Sequence, residues 1–454
     1  MKDSLNRSAL VTDLYELTMA AGYYAQKMYA PATFSLYIRK YPPNRGYFVS
    51  AGLEDVLDYL ESWHFTQEQL DYLNDIGMFT DEFLHYLGTL RFTGDVHAIP
   101  EGRLFFKDEP ILEVTAPIIE GQLVETFIIN AINLQVSIAT KASRCVHAAR
   151  GRNLVDFSLR RTHGAEAGLK VARASYLVGF GGTSNVSAGE IYGLPVVGTM
   201  AHSFVTSFES EIEAFRAFAE AFPDNTVLLI DTYDTVEGAK KAVIVGRDME
   251  EKGHRLRGVR LDSGDMADLS KQVKKIFDDA GMDKVQIFAS GGFDEFKISD
   301  LLSRGALIDA FGVGTKMGVS ADAPYTDMAY KLVQYGEKPV LKLSTGKKTL
   351  VGKKQVFRKQ EDDRLTGDMI ALRDEEGLDG EPLFKPVMKN GRRLEATRSL
   401  RDISDDFQKE FECLDDAYKA LEQPDRFPVS LSPGLEALQK QVVHRVKEKE
   451  LGES

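Results

Sequence analysis

Gly258-Val259-Arg260-Leu261-Asp262-Ser263-Gly264-Asp265 is a short apolar strand that runs into a polar turn containing glycine. Outward from it, the same rhythm begins at Asn153 and repeats: an apolar strand, a turn with Gly, Asp, Ser or Thr, then a helix. Strands are predicted at Leu154–Ser158, Leu177–Gly181, Val196–Thr199, Thr226–Asp231, Gly258–Asp262, Val285–Ser290 and Ile308–Gly312. They recur every 15 to 35 residues or so, roughly the length of a βα unit. Most are near-continuous apolar runs, as strands buried on both faces are. With an eighth strand at Ala329–Val333, the pattern predicts an α/β fold, an irregular (β/α)8-like barrel. A doubly wound open sheet is the alternative.

The N-terminal segment reads differently. Leu10–Met28 is predicted helical, with Thr12-Asp13 as its cap and Tyr15 at its front. A strand (Thr33–Ile38), a turn cluster (Tyr41–Gly46), a helix from Leu53 and a helical pair over Phe65–Leu90 follow. Val96–Ile99, Leu104–Phe106 and Ile111–Val114 predict a small antiparallel sheet, and Gly121–Arg150 predicts one long bridging helix. The expected organisation is a smaller α+β domain over residues 1–150, the barrel over 151–335, and a C-terminal segment over 336–454 packing on both. That last segment is expected to hold an edge hairpin (Lys342–Thr349 with Gly352–Arg358), its lysines solvated, and a polar helical tail from Asp402.

Composition narrows the function classes. A chain of 454 residues exceeds the usual size of one hydrophobic core. A net charge of −13 with no basic arm argues against a nucleic-acid partner, although local arginines still suit small anions. Two cysteines, Cys145 and Cys413, exclude a disulfide framework and a cysteine zinc site, and fit a reducing compartment. No apolar run is long enough for a membrane span, and Met1–Arg7 lacks the apolar core of a signal peptide, so a cytoplasmic protein is expected.

Chemistry is sought where barrel strands end. Asp156-Phe157-Ser158-Leu159-Arg160-Arg161-Thr162-His163-Gly164 places adjacent arginines before a helix, a pattern suited to phosphate or carboxylate. Gly181-Gly182-Thr183-Ser184-Asn185 ends the next strand. Val196-Val197-Gly198-Thr199-Met200-Ala201-His202-Ser203-Phe204 presents a histidine among small residues, either a reactive group or a hydrogen-bonded structural one. Leu229-Ile230-Asp231-Thr232-Tyr233-Asp234 follows. Arg260 and Asp262, two apart on a strand, face one side: a lumen pair or a buried ion pair. Ser290-Gly291-Gly292 and Phe311-Gly312-Val313-Gly314-Thr315 are glycine-rich ends through which backbone amides approach phosphate. Neither a Gly-X-Gly-X-X-Gly nor a Walker A sequence occurs. Lys316 is the nearest candidate for a Schiff-base lysine and is not clearly inside a barrel. The sum is an anion-binding barrel, with Mg2+ held through phosphate oxygens rather than in a protein cage.

Thr12–Met19, Phe157–Gly164, Gly198–Ser203, Gly258–Asp265 and Gly312–Thr315 resemble the nicotinate phosphoribosyltransferase family, a type II phosphoribosyltransferase, from about residue 10 to about residue 360. The resemblance implies an irregular α/β barrel with a smaller domain and a homodimer with shared active sites. It implies transfer of phosphoribosyl from phosphoribosyl pyrophosphate to nicotinate, coupled to ATP hydrolysis through a phosphohistidine. By that resemblance His202 takes the γ-phosphate, and Thr199 and Arg260 contact nicotinate. Tyr15 from the neighbouring subunit and Phe157 sandwich the pyridine ring. Arg160 and Arg161 lie in the basic motif near substrate phosphate and carboxylate, and Asp262 lies on the ribose side. Ser290, Gly291, Gly292, Gly314 and Thr315 belong to the 5′-phosphate cradle. Ser184 stands where the nicotinamide-using relative carries an aspartate, which favours nicotinate. Nicotinamide use and a non-catalytic phosphosugar-binding barrel are the alternatives.

Overall fold

A computed structural model describes residues 8–343 and 349–452. The chain forms two compact units: Ile138–Pro324, and Met1–Ser137 together with Tyr325–Ser454.

The first unit is built on a six-stranded parallel sheet. Its strands are β1 (Asn153–Asp156), β2 (Gly182–Thr183), β3 (Val227–Leu229), β4 (Gly258–Leu261), β5 (Gln286–Ser290) and β6 (Ala310–Val313). They lie in the order β2-β1-β6-β5-β4-β3, and Thr183 makes a parallel bridge to Val196 outside β2. Read as a ring, that is chain order with one seam, between Val196 and β3, so the sheet is barrel-like. The strands carry Leu154, Val155, Leu228, Val259, Ile287, Ala289, Phe311 and Val313, all buried. Each larger one of these contributes about 1.5–3 kcal/mol by leaving water. The helices start where the sequence provides caps: Asp234 before Thr235–Glu251, Asp265 before Met266–Asp279 and Asp294 before Glu295–Ser303 each accept from a first-turn amide.

The second unit is centred on a seven-stranded antiparallel sheet. Its order is Lys338–Pro339, Met328–Tyr335, Pro31–Ile38, Pro110–Pro117, Asp95–Ala98, Lys385–Lys389, Arg392–Arg393. Helices Leu14–Ala25 and Leu53–Ser62 belong to the same unit, and Leu17, Val56, Leu60, Leu36, Val96 and Val114 share one core. The Phe34 ring stacks on Tyr330 at 4.9 Å. A four-stranded sheet pairs Lys354–Glu361 with Arg364–Leu372 through a turn whose Asp362 and Asp363 both hold positive φ, the backbone of a tight hairpin.

Several expectations are corrected. Ala329–Val333 is not a barrel strand. It runs antiparallel to Pro31–Ile38, with Leu36 opposite Tyr330. Ala329, Tyr330 and Val333 are buried while Lys331 and Leu332 between them are only half-buried, so the strand is not the continuously buried run of a parallel barrel strand. Leu177 ends a helix, and the strand begins only at Gly182, beyond a Gly179 with φ of 108°. Val196–Thr199 contributes a single bridge at Val196. The expected helix over Gly121–Arg150 breaks at Val124 into Ile118–Leu123 and Glu125–Ala149.

The boundaries also differ from 150 and 335. Residues 138–149 group with the barrel, where Lys141 and Arg144 are ion-paired to buried Glu295. The C-terminal segment groups with the N-terminal one, because Lys385–Lys389 extends the sheet beside Asp95–Ala98. Of the edge hairpin, residues 344–348 lie outside the described residues, and Lys354 pairs with Arg364–Leu372 instead. Lys354 is not solvated: it is buried 3.0 Å from Glu113.

Candidate active site

Parallel strands bring their C-terminal ends to one end of the sheet, and polar residues of the barrel gather there. Arg260, the third residue of β4, donates to Thr199 Oγ1 and, at 3.0 Å, to the Met200 carbonyl. These bonds fasten β4 to the Val196–Met200 segment across the seam, where no ladder exists. His202 opens a short helix, His202–Thr206, and its Nδ1 lies 3.2 Å from Thr232 Oγ1, just beyond β3. The seam is therefore bridged by the side chains of Arg260 and His202.

Asp262 follows β4. Its amide donates to Asp231 Oδ2 at 2.9 Å, Ser263 Oγ donates to the same oxygen at 2.6 Å, and Ser290 Oγ, at the end of β5, donates to Asp262 Oδ1. Three consecutive strand ends are thus tied through two carboxylates. Burial pulls the Arg260 pKa down, the Asp262 and Asp231 carboxylates pull it up, and Arg160 pulls it down again, so the net direction is down. Arg160 is near enough to act on Arg260 electrostatically, although its own side chain is exposed.

Two buried atoms of the cluster lack hydrogen-bond partners, Arg260 Nε and Asp231 Oδ1. Such atoms are rare in folded proteins, and a ligand, ion or water is one way their bonding is completed. Among the described residues no three His, Cys, Asp or Glu side chains converge as a metal cage. Asp231 and Asp262 together offer a cation at most two protein carboxylates.

Phe157 follows β1, with its amide bonded to Val313 O at 2.8 Å. Its ring packs against Gly312, where an added Cβ would sit 2.6 Å from the ring carbons Cδ2 and Cε2. Asp156 is buried and accepts from Ser158 N at 2.9 Å and Thr183 Oγ1 at 2.7 Å, which fixes the turn carrying Phe157. Burial raises the Asp156 pKa, and those hydrogen bonds lower it in part. Gly291 and Gly292 have φ of 112° and 67°, conformations that side chains disfavour, and a Cβ on Gly291 would meet Asp262 O at 2.3 Å. Gly314 and Thr315 begin a four-residue helix after β6.

The structure therefore joins Arg260 to Thr199 and Asp262 to Ser290 and, by close approach, Gly291. His202 is held by Thr232, the residue after the Asp231 that binds the Asp262 amide, and Phe157 is set against β6. Ser184 is half-buried at the end of β2, bonded through its amide to Asp156 O at 2.8 Å, with its side chain outside this network. Arg161 is exposed in a 3-10 turn. Tyr15 belongs to the other unit and is 48% exposed on its helix. Sequence reading did not single out Asp231, Thr232, Asp156 or Ser263. Asp231-Thr232 was visible as a polar strand end, but its link to Asp262 depends on β3 and β4 being neighbours. The other unit holds a cavity of about 500 Å3 beside Tyr37, Arg39, Lys107 and Lys354. There each cation is already paired, with Asp327, Asp108 and Glu113 respectively, so the walls present no uncompensated charge.

Family models of nicotinate phosphoribosyltransferase match residues 10–133 (N-terminal domain), 152–362 (the family model) and 376–439 (C-terminal domain). The chain belongs to the nicotinate phosphoribosyltransferase family. It is 48% identical over 426 residues to nicotinate phosphoribosyltransferase pncB2 of Mycobacterium tuberculosis, covering 93% of this chain and 91% of that one. It is 37% identical to the Bacillus subtilis nicotinate phosphoribosyltransferase, covering 98% and 96%. The crystal structure of human nicotinic acid phosphoribosyltransferase superposes with a TM-score of 0.86 at 29% identity, covering 95% of this chain and 99% of that one. A nicotinate-nucleotide pyrophosphorylase from Pyrococcus furiosus follows with a TM-score of 0.74 at 25% identity, covering 90% and 96%. The family and the α/β barrel expected from the motifs are borne out, with a six-stranded parallel sheet in place of eight barrel strands.

Proposed function

We propose that this chain transfers phosphoribosyl from 5-phosphoribosyl 1-pyrophosphate to nicotinate, in NAD salvage, and couples the step to ATP hydrolysis through a phosphohistidine at His202. The observation that carries the reading is Arg260: anchored by Thr199 and Met200, it keeps a buried Nε without a partner beside Asp262. A planar fork with a spare donor suits the carboxylate of nicotinate or a substrate phosphate.

The pyridine nitrogen forms a bond to the anomeric carbon while the bond to pyrophosphate oxygen breaks, and pyrophosphate leaves with the electron pair. No protein nucleophile is required. Asp262 lends negative charge to an oxocarbenium-like centre, and Phe157 supplies one face for the ring, so positioning and electrostatics carry the step. Ser290, Gly291, Gly292, Gly314 and Thr315 cradle the 5′-phosphate, while Arg160 and Arg161 add positive charge at the rim. Asp231 and Asp262 would hold Mg2+ together with phosphate and water oxygens, which suits the lone Asp231 Oδ1. When bound, Mg2+ neutralises charge on the departing pyrophosphate. In the ATP step a ring nitrogen of His202 forms a bond to the γ-phosphorus as the bond to ADP breaks and ADP leaves; water then takes the phosphoryl group, releasing phosphate and restoring the imidazole. Thr232, on Nδ1, orients the ring.

The active form is proposed as a homodimer in which Tyr15 of the partner subunit covers the other face of the ring. The exposed Leu14, Tyr15 and Met19 on one helix support that reading. The two unpaired thiols fit a cytoplasmic setting.

The test combines nicotinate, phosphoribosyl pyrophosphate, Mg2+ and ATP and follows mononucleotide, pyrophosphate and ADP, with nicotinamide as a parallel substrate. The expected result is nicotinate mononucleotide with matching ADP, and an acid-labile label from γ-labelled ATP that His202→Ala abolishes. Mononucleotide without extra ADP removes the coupling. Preference for nicotinamide replaces the substrate, and phosphosugar binding without pyrophosphate release makes the barrel a binding module.

A further inference from the structure

β5 and β6 are neighbours, with Ser290 opposite Gly312, and each runs straight into one of the two glycine turns. Lys316, from the turn after β6, reaches the turn after β5, its Nζ 2.7 Å from Asp294 Oδ2. Asp294 serves both sides. Its other oxygen accepts from the Lys297 amide at 2.9 Å and caps the helix Glu295–Ser303. The Lys297 side chain folds back over the Phe293 ring and donates to Gly291 O at 2.6 Å. Glu295, the next residue, is buried between Lys141 at 2.5 Å and Arg144 at 2.9 Å. The Gly291–Asp294 turn is therefore gripped at both ends, and among the described residues the ion pair that ties it to the segment after β6 is that of the half-exposed Lys316.

We propose that the Lys316–Asp294 ion pair is a clasp that fixes the spacing of the two glycine turns and so tunes affinity for the phosphate end of the phosphoribosyl donor. Lys316 and Asp294 are positioning residues. The proposal rests on the assignment of those turns to the 5′-phosphate. By sequence Lys316 is also the nearest candidate for a Schiff-base lysine. Its Nζ is engaged by Asp294 at 2.7 Å, so it is read as a positioning group rather than a nucleophile. A cradle built of backbone amides binds a phosphate only when its two halves hold their separation, and two glycines at positive φ leave the Gly291 turn little stiffness of its own.

The experiment compares Lys316→Met, Lys316→Arg, Asp294→Asn and the Lys316→Met/Asp294→Asn double variant in the full chain. Asparagine still caps the helix, so Asp294→Asn removes the ion pair alone. The readouts are KM for phosphoribosyl pyrophosphate, KM for nicotinate, kcat, and calorimetric affinity for ribose 5-phosphate. Lys316→Met and Asp294→Asn are each expected to raise donor KM and weaken ribose 5-phosphate binding about tenfold, with nicotinate KM changed less than about twofold. The double variant is expected to be no worse than either single, and Lys316→Arg to stand near wild type. Should Lys316→Met not fold, Lys316→Gln carries the same comparison. An unchanged donor KM in Lys316→Met overturns the clasp. So does a change in Lys316→Met with none in Asp294→Asn, which would make the lysine a direct phosphate ligand. If the wild-type chain binds ribose 5-phosphate yet forms no nicotinate mononucleotide, the assigned reaction fails and the binding arm alone decides the clasp. If it does neither, both fail.

Discussion

Arg260 donates to Thr199 Oγ1 across the seam of the parallel sheet, so the side chain assigned to the substrate carboxylate also fastens the site's two edges. Its Nε remains buried and without a partner. Replacing a fork by a point charge forfeits both functions. Arg260→Lys is expected to raise the nicotinate KM by about 10- to 100-fold, the loss of a bidentate charge-assisted contact. Thr199→Val removes one anchor and is expected to cost about 1 kcal/mol of transition-state stabilisation. Steady-state kinetics on both variants check this. Equal losses for donor and nicotinate would assign Arg260 a structural role only.

The contrast between Arg260 and Asp231 shows what the sequence could disclose. Arg260 and Asp262 share a strand, and their spacing of two predicts a common face without knowledge of any other strand. Asp231 acts on the Asp262 amide from β3, a relation that exists only because β3 and β4 pair with Leu229 beside Arg260. Strand order is not written locally. The same limit explains Met328–Tyr335: its composition suits a strand of either kind, and its membership of the antiparallel sheet is decided by Pro31–Ile38, nearly three hundred residues earlier by sequence number. Asp156 escaped notice because its role, holding Ser158 and Thr183, appears only once β1 and β2 lie side by side. The glycine turns were legible because positive φ and close approach require that one residue type.

Ser184 stands at the end of β2, half-buried. Under the proposed assignment of Ser184 to the nicotinate pocket, a carboxylate there would meet an anionic substrate with a like charge. Ser184→Asp is expected to raise nicotinate KM about tenfold or more while improving the nicotinamide-to-nicotinate ratio of kcat/KM. A variant that weakens both pyridines alike would show that position 184 does not select between them.

Gly312 has no room for a methyl group, since its Cβ would lie 2.6 Å from the Phe157 ring and 3.3 Å from Ser290 Cβ. Gly312→Ala must displace the ring, because the strand backbone is fixed by pairing on both sides. The expected stability loss is about 1–3 kcal/mol, typical of overpacking. Nicotinate KM should rise more than donor KM, because the displaced group is the proposed ring wall. Denaturant titration and the two KM values test this together. A stability loss with both KM values intact would separate Phe157 from the pyridine.

Glu16 gives a pH signature of a defined sign. It is fully buried and accepts from Thr12 Oγ1 and, at 2.8 Å, from Thr126 Oγ1. Burial pushes its pKa up to about 7, the two hydroxyls pull it back in part, and the Glu125 and Asp13 charges add to the rise. The folded chain therefore holds this proton where the unfolded chain has released it. The contribution to stability is fully present below the ordinary carboxyl value and is lost as pH rises through about 7. His97 acts in the opposite sense at lower pH: burial first, then Arg373, push its pKa down to about 4, so it costs stability as pH falls below the ordinary imidazole value. Comparison with Glu16→Gln cancels the His97 effect, which both proteins share. The variant carries no titrating group at that position, so its advantage over wild type should grow between pH 5 and pH 8 by about 2–3 kcal/mol. Urea midpoints across that range measure the difference directly, and parallel curves for the two proteins would mean that the Glu16 carboxyl titrates like an exposed one.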